Sequence, residues 1–137
     1  MNVAAAGAPR VRALDGVVPG AIPHAELLAG QAPVILRGVA RDWPLIAAAR
    51  ESDRAAIAYL ASFDSGQPVV GFTGPPDIQG RFHYDPGLTG FNFEGARVGL
   101  SDFLARIRTS LDAPATESLY IGSADLDRHL PGFRAAN

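Results

Sequence analysis

The sequence is most distinctive in the stretch RFHYDPGLTGFNFE, which runs from Arg81 to Glu94. His83 and Asp85 are two positions apart, so on a strand both side chains would lie on the same face. Together with a distant second histidine, for which His129 is the downstream candidate, they would form the two-histidine, one-carboxylate triad of non-haem iron(II) oxygenases. The alternative interpretation is that His83 and Asp85 are ordinary polar residues before the turn at Pro86-Gly87.

The same stretch carries aromatic residues at alternating positions. This spacing is typical of strands whose aromatic side chains contact a core, and the alternative is that the rings line a substrate groove. The residues concerned are Phe82, Tyr84, Phe91 and Phe93.

On either side of this stretch the pattern predicts alternating short helices and strands. Apolar spacing and capping residues predict helices from Pro23 to Gly30, from Trp43 to Arg50, from Ser52 or Asp53 to Phe63, and after a Ser101 cap as far as Leu111, with a helical turn from Asp125 to His129. Apolar runs predict strands at 33–37, 67–73 and 119–121, with one or two more between 80 and 99. With 15 glycines and 11 prolines, the chain is expected to have an α+β fold.

Composition excludes several classes of site. The net charge is −2 and the basic residues are scattered, so no nucleic-acid partner is expected. The absence of cysteine excludes disulfides, thiolate metal sites and cysteine nucleophiles. No signal peptide and no apolar run of the ~18 residues that a membrane span needs are found, so a cytoplasmic protein without a membrane partner is expected.

In this order, the motifs resemble bacterial cupin-like proteins related to the Jumonji-type hydroxylases. The resemblance covers about residue 22 to the end, and Leu88 to Glu94 is its most specific part. The matching segments are Pro33 to Gly38, Asp42 to Pro44, Arg81 to Asp85, Leu88 to Glu94, Leu100 to Leu111, Leu119 to Gly122 and Leu130 to Phe133.

The resemblance implies an iron(II)- and 2-oxoglutarate-dependent oxygenase built on a double-stranded β-helix. In that family the iron-binding H-x-D follows the Leu130 to Phe133 segment, so it would lie beyond Asn137. Residues 22–137 would then be the N-terminal lobe of the domain, with the barrel core largely missing and residues 1–21 a loose lead-in. Such a chain is expected to hold no metal site, to bind neither cofactor tightly and to be inactive alone.

The resemblance also assigns roles to individual residues. It implies that His83, Tyr84 and Asp85 lie at the mouth of the active site rather than in the metal site. It aligns Leu119-Tyr120-Ile121 with a segment whose tyrosine donates to the 2-oxoglutarate carboxylate, although Gly122 stands where those hydroxylases have glutamine. The alternative for Tyr120 is a simple strand-core residue.

Two other functions remain open from the sequence. One is a stand-alone binding module that keeps only the N-terminal lobe and associates with itself or with a barrel-containing partner through an exposed sheet surface. The other is a compact metalloenzyme that uses His83, Asp85 and His129.

Overall fold

The structure, a computed structural model, describes residues 10–112 and 116–137. The described residues form two compact units, with the division between Asp42 and Trp43. Helices and small sheets are mixed along the chain, which agrees with the α+β expectation. Within the described residues neither sheet closes into a barrel.

The first unit is built on a pair of parallel strands, β1 (Arg12–Asp15) and β2 (Val34–Arg37), joined by a short 3-10 turn at Pro19–Ala21 and helix α1 (His24–Gly30). An exposed ion pair between Arg12 and Glu26 links β1 to α1. The segment that the sequence indicated as a loose lead-in therefore contains a strand. Its apolar residues are too few to predict one, and β1 is formed by pairing with β2 more than twenty residues later.

The second unit contains the remaining elements. In chain order they are α2 (Pro44–Glu51), α3 (Asp53–Ala61), β3 (Val69–Gly74), β4 (Glu94–Val98), α4 (Leu100–Ser110), β5 (Ser118–Ile121), α5 (Leu126–His129) and α6 (Phe133–Ala136), with a 3-10 turn at Pro76–Ile78. The Ser52 hydroxyl accepts the Ala55 amide at 3.0 Å, so the predicted cap of α3 is confirmed. Asp125 likewise caps α5 by accepting the Arg128 amide.

The sheet of the second unit has the strand order β4-β3-β5, with both neighbours antiparallel to β3. One face packs against α4: a side chain at Gly71 would approach Phe103 and Val98 to within 3 Å. The core between this face and the helices contains Val69, Leu100, Leu104, Leu130 and Phe133. The opposite face carries Val70, Phe72 and Tyr120, and it is open, because Val70 and Tyr120 are both exposed.

Two sequence expectations in this unit need correction. Ser101 does not cap α4: the helix begins at Leu100, and Ser101 lies in its first turn, where its amide and hydroxyl both donate to Asp64. His83 and Asp85 do not lie on a strand either. Between residues 80 and 93 the only strand-like pairing is an isolated bridge between Tyr84 and Phe91.

Candidate functional site

Six aromatic rings form one continuous cluster that begins on the open face of the sheet. Ring centroids of neighbouring pairs are 5.0–5.9 Å apart, within the range in which aromatic pairs attract each other. Two of the pairs meet edge to face, three are stacked and one is tilted. We call this cluster the aromatic face, and its members are Phe72, Phe82, Tyr84, Phe91, Phe93 and Tyr120.

Strand register explains why the rings meet. Phe72 on the central strand is directly opposite Tyr120 on β5 and Gly95 on β4, and opposite residues of antiparallel strands share a face. Glycine beside Phe72 leaves room for its ring, because a side chain at Gly95 would begin 3.0 Å from Phe72 Cε1. At Gly122 a side chain would begin 2.8 Å from Tyr120 Cε1 and 3.1 Å from Phe72 Cε2. The glycine at 122 is therefore required by the stacked rings.

Tyr120 is one of the two tyrosines of this cluster, with Tyr84, and its hydroxyl can offer a hydrogen bond into open space. It is 50% exposed, and Phe72 and Phe82 lie at 5.9 and 5.5 Å from it. Within the described residues its hydroxyl has no hydrogen-bond partner. It lines a cleft of about 420 Å³ together with Gly80, Phe82 and Leu119. The Tyr120 ring thus packs against the apolar rings of Phe72 and Phe82, and its hydroxyl is available to donate a hydrogen bond. Tyr120 is therefore not a buried core residue.

A second cleft, of about 560 Å³, lies next to the other end of the aromatic face. Phe91 and Phe93 line it, and so do the carboxylates Glu94 and Glu117. An anionic ligand would be repelled there, whereas no carboxylate lines the Tyr120 cleft. The two clefts beside the aromatic face therefore differ in the charge of their lining residues.

The H-x-D residues are held in a tight turn. The Asp85 carboxylate accepts the amide of Thr89 at 3.1 Å and its hydroxyl at 3.3 Å. The His83 ring is bonded through Nδ1 to the carbonyl of Tyr84 at 2.6 Å, so this nitrogen carries the proton. At the tip of the turn Leu88 adopts a φ of 54° and is 76% exposed. Asp85 thus stabilises a turn in which the Leu88 side chain is exposed.

His129 lies far from this turn. It lines a cleft with Val69 and Val70 at the start of β3. His83 lies near the end of that strand, because it is hydrogen-bonded to Asn92, and the carbonyl of Asn92 lies beside Gly74. Six strand residues separate the two ends by roughly 16 Å. In residues 10–112 and 116–137 no three histidine or acidic side chains are grouped so that they could hold a metal ion. The triad of His83, Asp85 and His129 is therefore not formed, and these residues do not fit an iron site.

Sequence reasoning found four of the six rings from their alternation and a fifth, Tyr120, from resemblance. It missed Phe72, which lies in the predicted strand at 67–73. The signal that could have identified it is the flanking glycine at 71, since alternation of glycine and phenylalanine in a strand suggests one crowded and one open face.

Comparison with known proteins identifies a family. A family model described as a cupin-like domain matches residues 19–137. Neither the curated proteins nor the solved structures contain a match to this chain. Among the described residues, no helix has the length and apolar character that crossing a membrane requires.

Proposed function

Because this chain belongs to the cupin-like domain family, we propose that it contributes the cosubstrate-facing wall of an iron(II)- and 2-oxoglutarate-dependent oxygenase. The observation that carries the proposal is the free hydroxyl of Tyr120 over an apolar cleft without carboxylates. The hydroxyl would donate to a carboxylate of 2-oxoglutarate, while the rings of Phe72 and Phe82 keep Tyr120 in place. Iron(II) and 2-oxoglutarate together would supply the oxygen-activating chemistry.

In this proposal the iron ligands do not come from the described residues. The histidines and carboxylates of the described residues do not converge, and His83 and Asp85 are engaged in their own turn. We place His83, Tyr84 and Asp85 at the mouth of the active site, and we assign the iron ligands to a double-stranded β-helix outside the described residues. Residues 22–137 would act as the N-terminal lobe, and this chain alone would not turn over substrate.

A titration with 2-oxoglutarate tests the role of Tyr120. In 15N NMR spectra of the whole chain, we expect saturable shifts at residues 80–82 and 119–122, with a dissociation constant in the millimolar range. A hydrogen bond to a charged group contributes about 1.5–3 kcal/mol, so Tyr120→Phe should weaken binding about tenfold or more.

The control for this titration is Tyr59→Phe, which removes a phenolic hydroxyl that accepts from Asn137 in the helical core. It should bind 2-oxoglutarate as the parent chain does. Shifts that are absent at 20 mM ligand, or that persist unchanged in Tyr120→Phe, would contradict the proposal.

A second candidate function is a binding module that associates through the aromatic face. The observation that favours it is the number of exposed apolar side chains in this face and next to it in the chain: Val70, Tyr84, Leu88, Phe91 and Tyr120 are each 44–76% exposed. A contiguous apolar patch of several hundred Å² on a protein surface often marks an interaction site. The partner would be a second copy of this chain or a barrel-containing protein.

Light scattering as a function of concentration tests this candidate. Leu88→Gly removes the most exposed side chain of this group and suits the positive φ of its backbone, so it should shift the chain towards monomer without loss of folding. Leu28→Ala, which shortens a leucine 78% exposed on α1, is the matched control and should leave association unchanged. A monomer at all concentrations that binds no apolar dye would exclude self-association.

A further inference from the structure

A cleft at the opposite end of β3 from the Tyr120 hydroxyl has a different chemistry. It has a volume of about 210 Å³, and two arginines and a histidine are among its lining residues. Arg97 comes from β4, while Arg128 and His129 come from α5. The other lining residues are Pro68, Val69, Val70, Ser123 and Ala124, so no carboxylate of the described residues lines the cleft.

Three neighbouring carboxylates accept hydrogen bonds from other groups. Asp125 caps α5 by accepting the Arg128 amide, and Asp127 pairs with Arg134 through two hydrogen bonds of 3.1 and 3.2 Å. Asp64, which acts electrostatically on His129, accepts from Ser101 and Gly66. Within the described residues, Arg97 and Arg128 consequently have no ion-pair partner. Four other arginines do, at positions 12, 54, 106 and 134.

The third basic group is oriented by its own helix. His129 Nδ1 lies 2.9 Å from the carbonyl oxygen of Asp125. A carbonyl oxygen can only accept a hydrogen bond, so Nδ1 is the donor. The other ring nitrogen, Nε2, has no hydrogen-bond partner among the described residues. Next to it, Ser123 has a φ of 54°, in the left-handed region that residues other than glycine rarely adopt. Strained backbone of this kind is concentrated at ligand sites.

We propose that this cleft binds the phosphate group of a small phosphorylated metabolite. Guanidinium groups bind phosphate oxygens through paired, charge-assisted hydrogen bonds, and two of them match the charge of a dianion. The volume is below the roughly 300–1,000 Å³ of pockets for larger ligands, which favours a small anion. The site is independent of the proposed cosubstrate wall, since it lies at the other end of β3.

Titration of the 15N-labelled chain with inorganic phosphate tests the proposal, with sodium chloride at matched ionic strength as the reference. We expect saturable shifts at Val70, Ser123, Ala124 and Arg128 with a dissociation constant of millimolar or below. Arg97→Gln and Arg128→Gln should each weaken binding at least fivefold, and the double variant should abolish it. Arg108→Gln, which removes an exposed charge on α4 outside the cleft, is the matched control and should bind as the parent chain does.

Three results would overturn the inference. One is a set of shifts that rise linearly and equally with phosphate and chloride. Another is a loss of affinity in Arg108→Gln as large as in Arg97→Gln. The third is a phosphoserine peptide that binds more than tenfold tighter than both phosphate and free phosphoserine, because it would make the ligand a protein and not a small metabolite.

Discussion

Asp64 shows how a single carboxylate joins two helices of the second unit. It follows α3 and accepts the Ser101 amide at 3.0 Å and the Ser101 hydroxyl at 2.5 Å, both in the first turn of α4. Its other oxygen accepts the Gly66 amide at 2.9 Å. The first amides of a helix have no partner within the helix, so Asp64 does for α4 what a capping residue usually does from within the chain.

Replacing this carboxylate should therefore destabilise the fold. For Asp64→Asn we expect a loss of about 1 kcal/mol in the free energy of unfolding at pH 7, as for other lost helix caps. Urea denaturation measures it. Asp77→Asn, at an exposed position without a described hydrogen bond, is the control and should change stability little. Equal losses in both variants would refute the capping role.

The same contact makes a prediction about pH. The hydrogen bond from the Ser101 side chain, helped by the Gly66 and Ser101 amides and opposed by partial burial, holds the pKa of Asp64 below its ordinary value of 3.8. A carboxyl whose pKa is lowered by folding contributes stability that is full above the ordinary pKa and is lost as the pH falls through the lowered one. The stability difference between the parent chain and Asp64→Asn should therefore be constant near neutral pH and shrink below the ordinary pKa.

At the scale of elements, the sheet packs tightly against α4 at Gly71. A Cβ at this position would lie 2.6 Å from Phe103 Cε2 and 2.8 Å from Val98 Cγ2. Because Phe103 is almost fully buried, it cannot move aside cheaply. Gly71→Ala should destabilise the protein by about 1–3 kcal/mol through overpacking, measured by thermal or urea unfolding. Gly30→Ala, where nothing lies within 4 Å of the new methyl group, should not destabilise the fold.

The elements that the sequence predicted well are those with local signals. Prolines and capping residues mark α2 and α3, and the apolar spacing of α4 identifies its buried side, where Leu100, Phe103 and Leu104 lie. The elements it missed depend on distant partners. The strand β1 forms by pairing with β2, and the cap of α4 comes from Asp64, 37 positions earlier in the chain. Local patterns do not contain such contacts.

The candidate site was predictable to a similar degree. Alternating aromatic residues indicated a cluster, and resemblance indicated Tyr120, but the contact between them depends on the register of β3 with β5. The H-x-D spacing alone suggested a metal site. Only the turn geometry shows that the Asp85 carboxylate binds Thr89, and this could not be derived from the spacing.

At the scale of the whole molecule, one sheet of the second unit carries an aromatic surface and an arginine-lined cleft at different places along its strands. The aromatic face lies towards one end of β3, and at the other lies a cleft lined by Arg97 and Arg128, which have no ion-pair partner among the described residues. The sequence contains three histidines, at positions 24, 83 and 129, and the structure places His83 and His129 at opposite ends of that strand. We propose that this chain provides a wall for cosubstrate binding and does not itself bind the iron.

An anaerobic titration of the whole chain with iron(II), monitored by calorimetry in the presence of 2-oxoglutarate, tests this proposal most directly. We expect no stoichiometric binding of iron(II) in the low micromolar range, and no difference between the parent chain and the His83→Ala and Asp85→Asn variants. Binding of one equivalent of iron(II) at low micromolar concentration, abolished by His83→Ala, would contradict it.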